Sequence, residues 1–370
     1  MKKALLILAA LLALVCIAAT PFLCTHSDIL PEVSTAYYDY KAKEEALTAT
    51  GPEAELMRML TGLSADTKLE PVSTPMTFSR FGLVLACGAV MSLLGLRYAS
   101  GKQPELRLAL MWTMVLAVPF GLIGARLVYC LVNMSFYLNA IAAPEAMLKS
   151  WEGGLSLSGA LVGAGLAGVL GAKLGKVSVD AMLDAISMPL LVFSLYANMA
   201  VGYSDLGYGP EISGLISLLS IDINGTERLD TPVIVLLVLL LVMLAVHWFL
   251  RGKNAPAGHR FAMYAFLYGS VMILMESLRE DGHMVWGFVH AEMVFDLVFA
   301  LAALLYLAKT KKRILLCLLA TAVLAGAVVA LEFALDRSSI GDGLLYAAYI
   351  AVLGGYILLG CTCAKKRLAV

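Results

Sequence analysis

The chain has 370 residues, of which 61% are hydrophobic and only 15% charged, and its mean hydropathy is +0.86. This composition excludes a soluble globular domain, in which about 25% of the residues are usually charged. The formal net charge is zero, and the sequence has no basic patch of the kind that binds nucleic acid. We therefore expect no nucleic-acid partner.

Apolar runs long enough to cross a bilayer recur along the sequence. Because lipid offers no hydrogen-bond partner to the backbone, each run must be helical. We predict an all-α polytopic membrane protein with about ten transmembrane helices. Their approximate positions are 4–24, 78–96, 108–132, 155–172, 181–203, 232–250, 260–278, 286–308, 314–334 and 343–363.

The first span, within residues 1–24, follows Lys2 and Lys3 and has the general form of a secretory signal peptide. Its apolar run is longer than a signal-peptide core, and CIAATP (16–21) lacks the usual small-residue cleavage pattern. We therefore predict an uncleaved membrane anchor, with a cleaved signal peptide as the alternative. In both cases residues 25–77 form a large extracytoplasmic segment.

Basic residues are distributed unequally between the two sides of the ten predicted spans. Most of the 27 Lys and Arg residues fall on the side that carries Lys2 and Lys3. Cytoplasmic loops carry an excess of Lys and Arg, so this side is predicted to be cytoplasmic. Both termini would then lie in the cytoplasm.

The seven cysteines fall almost entirely in apolar spans, and none has the spacing of a metal site. Small apolar packing residues are the interpretation that this distribution favours. We expect neither a bound metal ion nor another cofactor.

The predicted fourth span begins with a polar stretch, SWEGGLSLSG (150–159). A helix start needs only one capping residue, whereas this stretch places Glu152, Ser156 and Ser158 near the outer membrane face. Glycines further along the span are explained by close helix packing, but packing does not account for these polar groups. We therefore predict a functional site at this depth.

Other polar residues are predicted at the same depth. Arg126 lies toward the outer end of the third span, and Asp205 follows the fifth. Glu276 and Arg279 close the seventh span, with Tyr268 two turns earlier. Ionisable residues in a span are candidates for function, although a structural ion pair between Glu276 and Arg279 is an equally open interpretation.

Four blocks of the sequence are similar, in order and spacing, to the bacterial prolipoprotein diacylglyceryl transferases. The blocks are FSRFGLVLACG (78–88), FGLIGARLVY (120–129), WEGGLSLSGALVG (151–163) and YGSVMILMESLRED (268–281). The resemblance implies a seven-span core at residues 78–308. The first span (1–24), the segment 25–77 and the two spans within 309–370 have no counterpart in the usual family architecture.

The family transfers a diacylglyceryl group from phosphatidylglycerol to the cysteine thiol of a preprolipoprotein lipobox. The resemblance therefore implies phosphatidylglycerol and a lipobox peptide as partners, and a location in the bacterial plasma membrane. Because a phosphate ester leaves, cationic donors are required. The positions that correspond to the family's site give a candidate head-group site, with no catalytic residue assigned: Arg126, Gly153, Gly154, Ser156, Ser158, Asp205, Tyr268, Glu276 and Arg279.

Three basic residues of the family pattern are missing from this chain, and Phe81 replaces a tyrosine of the first block. Met272 stands where the family has an arginine four residues before the glutamate, and Ser158 stands where it has a histidine. The arginine expected at the outer end of the fifth span has no equivalent, because no Lys or Arg occurs between Lys176 and Arg228.

Two hypotheses follow from these departures. The first is a divergent diacylglyceryl transferase that uses Arg126 and Arg279 on the lipid head group. The second is a non-catalytic membrane protein that keeps the fold for lipid binding or scaffolding. The missing cations predict that the unmodified chain shows no measurable transfer.

Overall fold

The structure is a computed structural model that describes most of the chain from residue 79 onward. The described residues are 79–134, 154–203, 207–212, 219–223, 225–280, 284–308, 310–338 and 340–368, with the single positions 14, 15, 17, 18, 20, 43, 137, 147 and 148. The predicted segment 25–77 lies outside them except for Lys43. The predicted first span is represented only by five helical positions between residues 14 and 20.

Long α-helices make up nearly all of the described part of the chain. In chain order they are α1 (Arg80–Lys102), α2 (Arg107–Val132), α3 (Leu157–Gly175), α4 (Val179–Val201), α5 (Thr231–Leu250), α6 (His259–Ser277), α7 (Ala291–Leu307), α8 (Lys311–Arg337) and α9 (Asp342–Leu368). A short 3₁₀ turn, Pro104–Leu106, joins α1 to α2. These helices follow the order of the predicted second to tenth spans.

Seven of these helices are long and apolar enough to cross a membrane. The other two are α6 and α7, which contain 19 and 17 residues. These two carry the buried acids Glu276, Glu292 and Asp296, and buried acids are expensive in a span. The all-α polytopic fold class is confirmed.

Two short antiparallel hairpins interrupt the helices. Strand β1 (Ser220–Ile223) pairs with β2 (Thr226–Leu229) between α4 and α5. Strand β3 (Val285–Trp286) pairs with β4 (Val289–His290) between α6 and α7. The eighth span was predicted to begin at 286, which is wrong by five residues. The turn at Gly287, with φ of +66°, reverses the chain before the helix begins.

Side-chain caps explain where several helices begin. Ser79 accepts a hydrogen bond from Gly82 N at 3.1 Å at the start of α1. Ser178 plays the same part at α4, and Asp230 at α5. Each cap pairs one of the backbone N–H groups that the first helical turn leaves without an intrahelical partner.

Helices α2 and α3 pack through their glycines. A Cβ atom at Gly124 would overlap the carbonyl oxygen of Gly159, and one at Gly163 would overlap that of Phe120. At the opposite end of the same pair, Gly175 lies against Ala109, so the two helices run antiparallel. The glycines of the fourth predicted span therefore allow close backbone approach, as predicted.

Of the last two helices, α9 packs against α6 and α7, and α8 packs against α7 and α9. The hydroxyls of Thr321 and Tyr356 lie 2.8 Å apart between α8 and α9. The rings of Phe266 and Tyr356 lie 5.4 Å apart, and Tyr346 donates a hydrogen bond to Ser277 O at 3.1 Å. These contacts place α9 against both α8 and α6.

Candidate functional site

A cavity of about 420 Å³ lies among α1, α2, α3, α4, α6 and α7. Most of its wall is apolar, and Ile17 and Thr20 from the predicted first span contribute to it. Several polar or charged side chains also line it, from α3 and the residue before it, α4, and the α6–α7 region. They are Ser156, Ser158, Asn198, Tyr268, Glu276, Arg279, Glu292 and Asp296.

The carboxylate of Glu292, at the start of α7, accepts hydrogen bonds from the start of α3. Ser156 Oγ accepts a hydrogen bond from Gly159 N at 3.0 Å and donates one to Glu292 Oε1 at 2.7 Å. Glu292 Oε2 accepts a hydrogen bond from Ser158 N at 3.3 Å. A buried carboxylate at a helix N-terminus pairs N–H groups there and complements the positive end of the helix dipole.

Arg126 contacts the segment that leads into α3. Its Nε donates to Met147 O at 2.9 Å, and its Nη1 donates to Gly154 O at 3.0 Å. Its guanidinium carbon lies 5.8 Å from the ring centroids of both Tyr129 and Tyr137. Arg126 is not among the residues that line the cavity, and these contacts position the backbone next to it.

The backbone geometry at position 154 requires a glycine. Its φ of +70° falls in the left-handed region, and a Cβ atom there would overlap the Tyr129 ring and crowd the Arg126 guanidinium. Only glycine adopts this conformation at little cost. Gly154 therefore lies in a tight entry into α3, packed on α2.

Glu276 and Arg279 form an ion pair on the cavity wall at the end of α6. Arg279 Nη1 lies 3.2 Å from one carboxylate oxygen of Glu276 and 3.3 Å from the other. Their side chains are 5% and 11% exposed. The two residues therefore form an ion pair, and both also line the cavity.

Two further residues of α6 face the cavity. Tyr268 accepts a hydrogen bond from Ser194 Oγ of α4 at 3.2 Å. Met272, one turn further along, is buried and lines the cavity with its uncharged side chain. The position at which the resemblance calls for an arginine is therefore on the cavity wall.

The structure brings five of the candidate residues together on this wall. They are Ser156, Ser158, Tyr268, Glu276 and Arg279. Arg126 and Gly154 contact each other beside the start of α3. Gly153 and Asp205 lie outside the described residues.

Among the polar residues that line the cavity, sequence reasoning missed Asn198, Glu292 and Asp296, and also Thr20, Ser92 and Thr113. Glu292 and Asp296 lie four residues apart on one face of α7, in an otherwise apolar run. Carboxylates in such a run are the signal that could have found them. Among the described residues, no three His, Cys, Asp or Glu side chains are grouped so that they could hold a metal ion.

Comparison with known proteins agrees with the four sequence blocks. A family model described as prolipoprotein diacylglyceryl transferase matches residues 71–309. The phosphatidylglycerol–prolipoprotein diacylglyceryl transferase of Symbiobacterium thermophilum is 24% identical over 250 residues, which cover 65% of this chain and 91% of that protein. The enzyme of that name from Clostridium novyi is 25% identical over 257 residues, which cover 64% and 95%.

A third relative of that name, from Rhodococcus jostii, is 27% identical over 222 residues, covering 53% of this chain and 60% of that protein. The region that the family model matches includes α1 to α7 and leaves out α8 and α9. It is more than half of the chain, and the resemblance seen in the sequence is confirmed. The protein belongs to the prolipoprotein diacylglyceryl transferase family.

Proposed function

We propose that this protein performs the lipid-binding part of its family's reaction, by holding a phospholipid in the cavity between α1 and α7. The head group would lie at the polar end, near Ser158, Tyr268 and Arg279. The acyl chains would lie along the apolar wall. The observation that carries the proposal is one cavity that joins a largely apolar wall to a buried polar end.

The size and lining of the cavity support this proposal. Ligand sites in proteins are mostly apolar pockets of about 300–1,000 Å³ with a few placed polar groups. The cavity has about 420 Å³ and fits that description. Arg279 supplies a guanidinium, which suits a phosphate better than a point charge does because its donors are arranged as a fork.

Transfer of the diacylglyceryl group to a lipobox cysteine is the second candidate function. Family membership favours it, and so does the ion pair of Glu276 and Arg279 on the cavity wall. Expulsion of a phosphate ester requires cations, however, and Arg279 is the only basic residue among the described residues of the wall. Met272 and Ser158 supply none, so we propose that wild-type transfer is too weak to measure.

Lipid binding is tested by narrowing the apolar part of the cavity. Ala164 lines the cavity, whereas Val162 on the same helix is 41% exposed and does not line it. We expect Ala164→Phe to reduce retention of a labelled dioleoyl phospholipid by the purified protein by about tenfold, the loss of one or two buried methylene contacts. Val162→Phe should retain lipid as wild type does. Equal retention by both variants would contradict the site.

Transfer is tested in vesicles that contain the purified protein, a labelled phosphatidylglycerol and a lipobox peptide. We expect no labelled peptide from the wild type, and a measurable product from Met272→Arg combined with Ser158→His. The arginine would place a cation one helical turn before Glu276. Clear transfer by the wild type would establish the second candidate function.

We infer that the protein lies in a bacterial plasma membrane with both termini in the cytoplasm. Basic residues support this orientation, since the α3–α4 and α5–α6 connections carry Lys176, Arg251 and Lys253. The two β-hairpins and the start of α3 would then lie at the outer face.

A further inference from the structure

Acidic groups outnumber basic groups in the described part of the cavity wall. Its described residues include three acids, Glu276, Glu292 and Asp296, and one basic residue, Arg279. Glu276 pairs with Arg279, and Glu292 accepts hydrogen bonds at the start of α3. The carboxyl group of Asp296 takes part in neither of these contacts.

Asp296 is deeply placed and faces the cavity. It is 2% exposed, and no hydrogen bond to its carboxylate is found within the described part of the chain. Its backbone lies against Gly269 of α6, seven residues before Glu276, which corresponds to roughly 10 Å along the helix. It lies within electrostatic range of Glu276, Glu292 and Arg279. A buried carboxylate of this kind is costly unless a positive group or a donor meets it.

Asn198 also presents an acceptor atom that has no hydrogen-bond partner among the described residues. Asn198 of α4 is 6% exposed, and its Nδ2 donates to Ser194 O at 2.9 Å. Its Oδ1 accepts no hydrogen bond within the described residues, and the residue faces the cavity. The unpartnered atoms are Asn198 Oδ1 and the carboxyl oxygens of Asp296, which all act as acceptors when Asp296 is ionised. A molecule that donates hydrogen bonds and carries positive charge would complement that state.

Head-group chemistry distinguishes the candidate lipids. A primary ammonium has three N–H donors and one positive charge, as in phosphatidylethanolamine. A choline head group carries the charge without an N–H donor. A glycerol head group donates through hydroxyls, but its lipid brings a net negative charge to a wall that already carries three carboxylates.

We propose that the cavity selects a phospholipid with a primary-amine head group, whose ammonium contacts Asp296 and Asn198 while its phosphate lies toward Arg279. The inference rests on the proposed lipid binding and names the lipid class. It differs from the anionic lipid in the names of the relatives because the described residues of the wall include more acidic than basic side chains.

The test compares three lipids with identical dioleoyl chains and ethanolamine, choline or glycerol head groups. The full chain is purified from vesicles that contain equal amounts of the three, and the retained lipid is measured by mass spectrometry. We expect about tenfold enrichment of the ethanolamine lipid over each of the others, the effect of one charge-assisted hydrogen bond. Enrichment of the glycerol lipid, or equal retention of ethanolamine and choline lipids, would overturn the inference.

Two variants test whether Asp296 gives rise to the preference for the ethanolamine lipid. Asp296→Asn keeps the size of the side chain and removes its charge, so the enrichment over the glycerol lipid should fall to within about twofold. The control is Glu332→Gln, at a carboxylate of α8 that is 6% exposed, lies outside the cavity and accepts a hydrogen bond from Tyr349 at 3.0 Å. It should leave the enrichment unchanged.

An Asp296→Asn protein that keeps the wild-type preference would overturn the inference. Retention of none of the three lipids by the wild type would instead overturn the proposed function. If Asp296→Asn does not fold, the three-lipid comparison on the wild type still decides.

Discussion

Glu292 is the residue that connects the two helix starts beside the cavity. Replacing it with alanine would leave the Ser156 hydroxyl and the Ser158 N–H without their acceptor in a buried place. Such a loss costs about 1–3 kcal/mol per group, so Glu292→Ala should lower the thermal unfolding midpoint of the purified protein in detergent. Glu292→Gln keeps an oxygen acceptor and should lower it less. An alanine variant with the wild-type midpoint would show that the connection contributes nothing.

The sequence predicted several site residues at this scale and missed others for a physical reason. Ser156, Glu276 and Arg279 could be found because polar groups are conspicuous in apolar runs. The direction in which a side chain points could not be predicted in the same way. Arg126 bonds to the carbonyls of Met147 and Gly154, more than 20 residues away, and no local pattern contains such contacts.

At the scale of helices, the contact between α2 and α3 makes a sharp prediction. A Cβ atom at Gly163 would overlap the backbone of Phe120, whereas one at Gly165, two residues later, would meet nothing within 4 Å. Because backbone cannot move aside as a side chain can, Gly163→Ala should cost about 1–3 kcal/mol. Gly165→Ala should be neutral or stabilising by up to about 1 kcal/mol.

The measurement for this pair is the unfolding midpoint of each variant in the same detergent. If the Gly163→Ala and Gly165→Ala variants unfold at the same midpoint, α2 and α3 can move apart at this contact without a loss of stability.

The existence of each helix was predictable because length and apolar composition suffice in a membrane. The start of α7 was not, because Trp286 and Phe288 in the hairpin are as apolar as residues of a span.

For the whole molecule, the orientation in the membrane can be tested with single cysteines in a cysteine-free background. Glu227 in β2 and Lys253 between α5 and α6 are both exposed and lie on opposite sides of the predicted topology. We expect a membrane-impermeant maleimide to label Glu227→Cys in intact cells, and Lys253→Cys only after the membrane is opened. The reverse labelling pattern would show that the protein has the opposite orientation in the membrane.

The sequence predicted the fold of the whole molecule more completely than it predicted the cavity. Composition restricts the chain to helices in a bilayer, and four sequence blocks were enough to suggest a family that comparison then confirmed. The charge of the cavity depends on which faces of six helices meet. Asn198, Tyr268 and Asp296 are far apart in the chain, and only their packing makes them one wall.

Ile17 and Thr20 lie on the wall of the cavity, and Ile17 is buried. A helix at this place in an exported protein is often regarded as an address, read once by the export machinery and then removed. Here its removal would take Ile17 and Thr20 away from the cavity wall. We therefore expect that exchanging residues 1–24 for an unrelated membrane anchor would still bring the chain to the membrane but would leave the proposed lipid site incomplete.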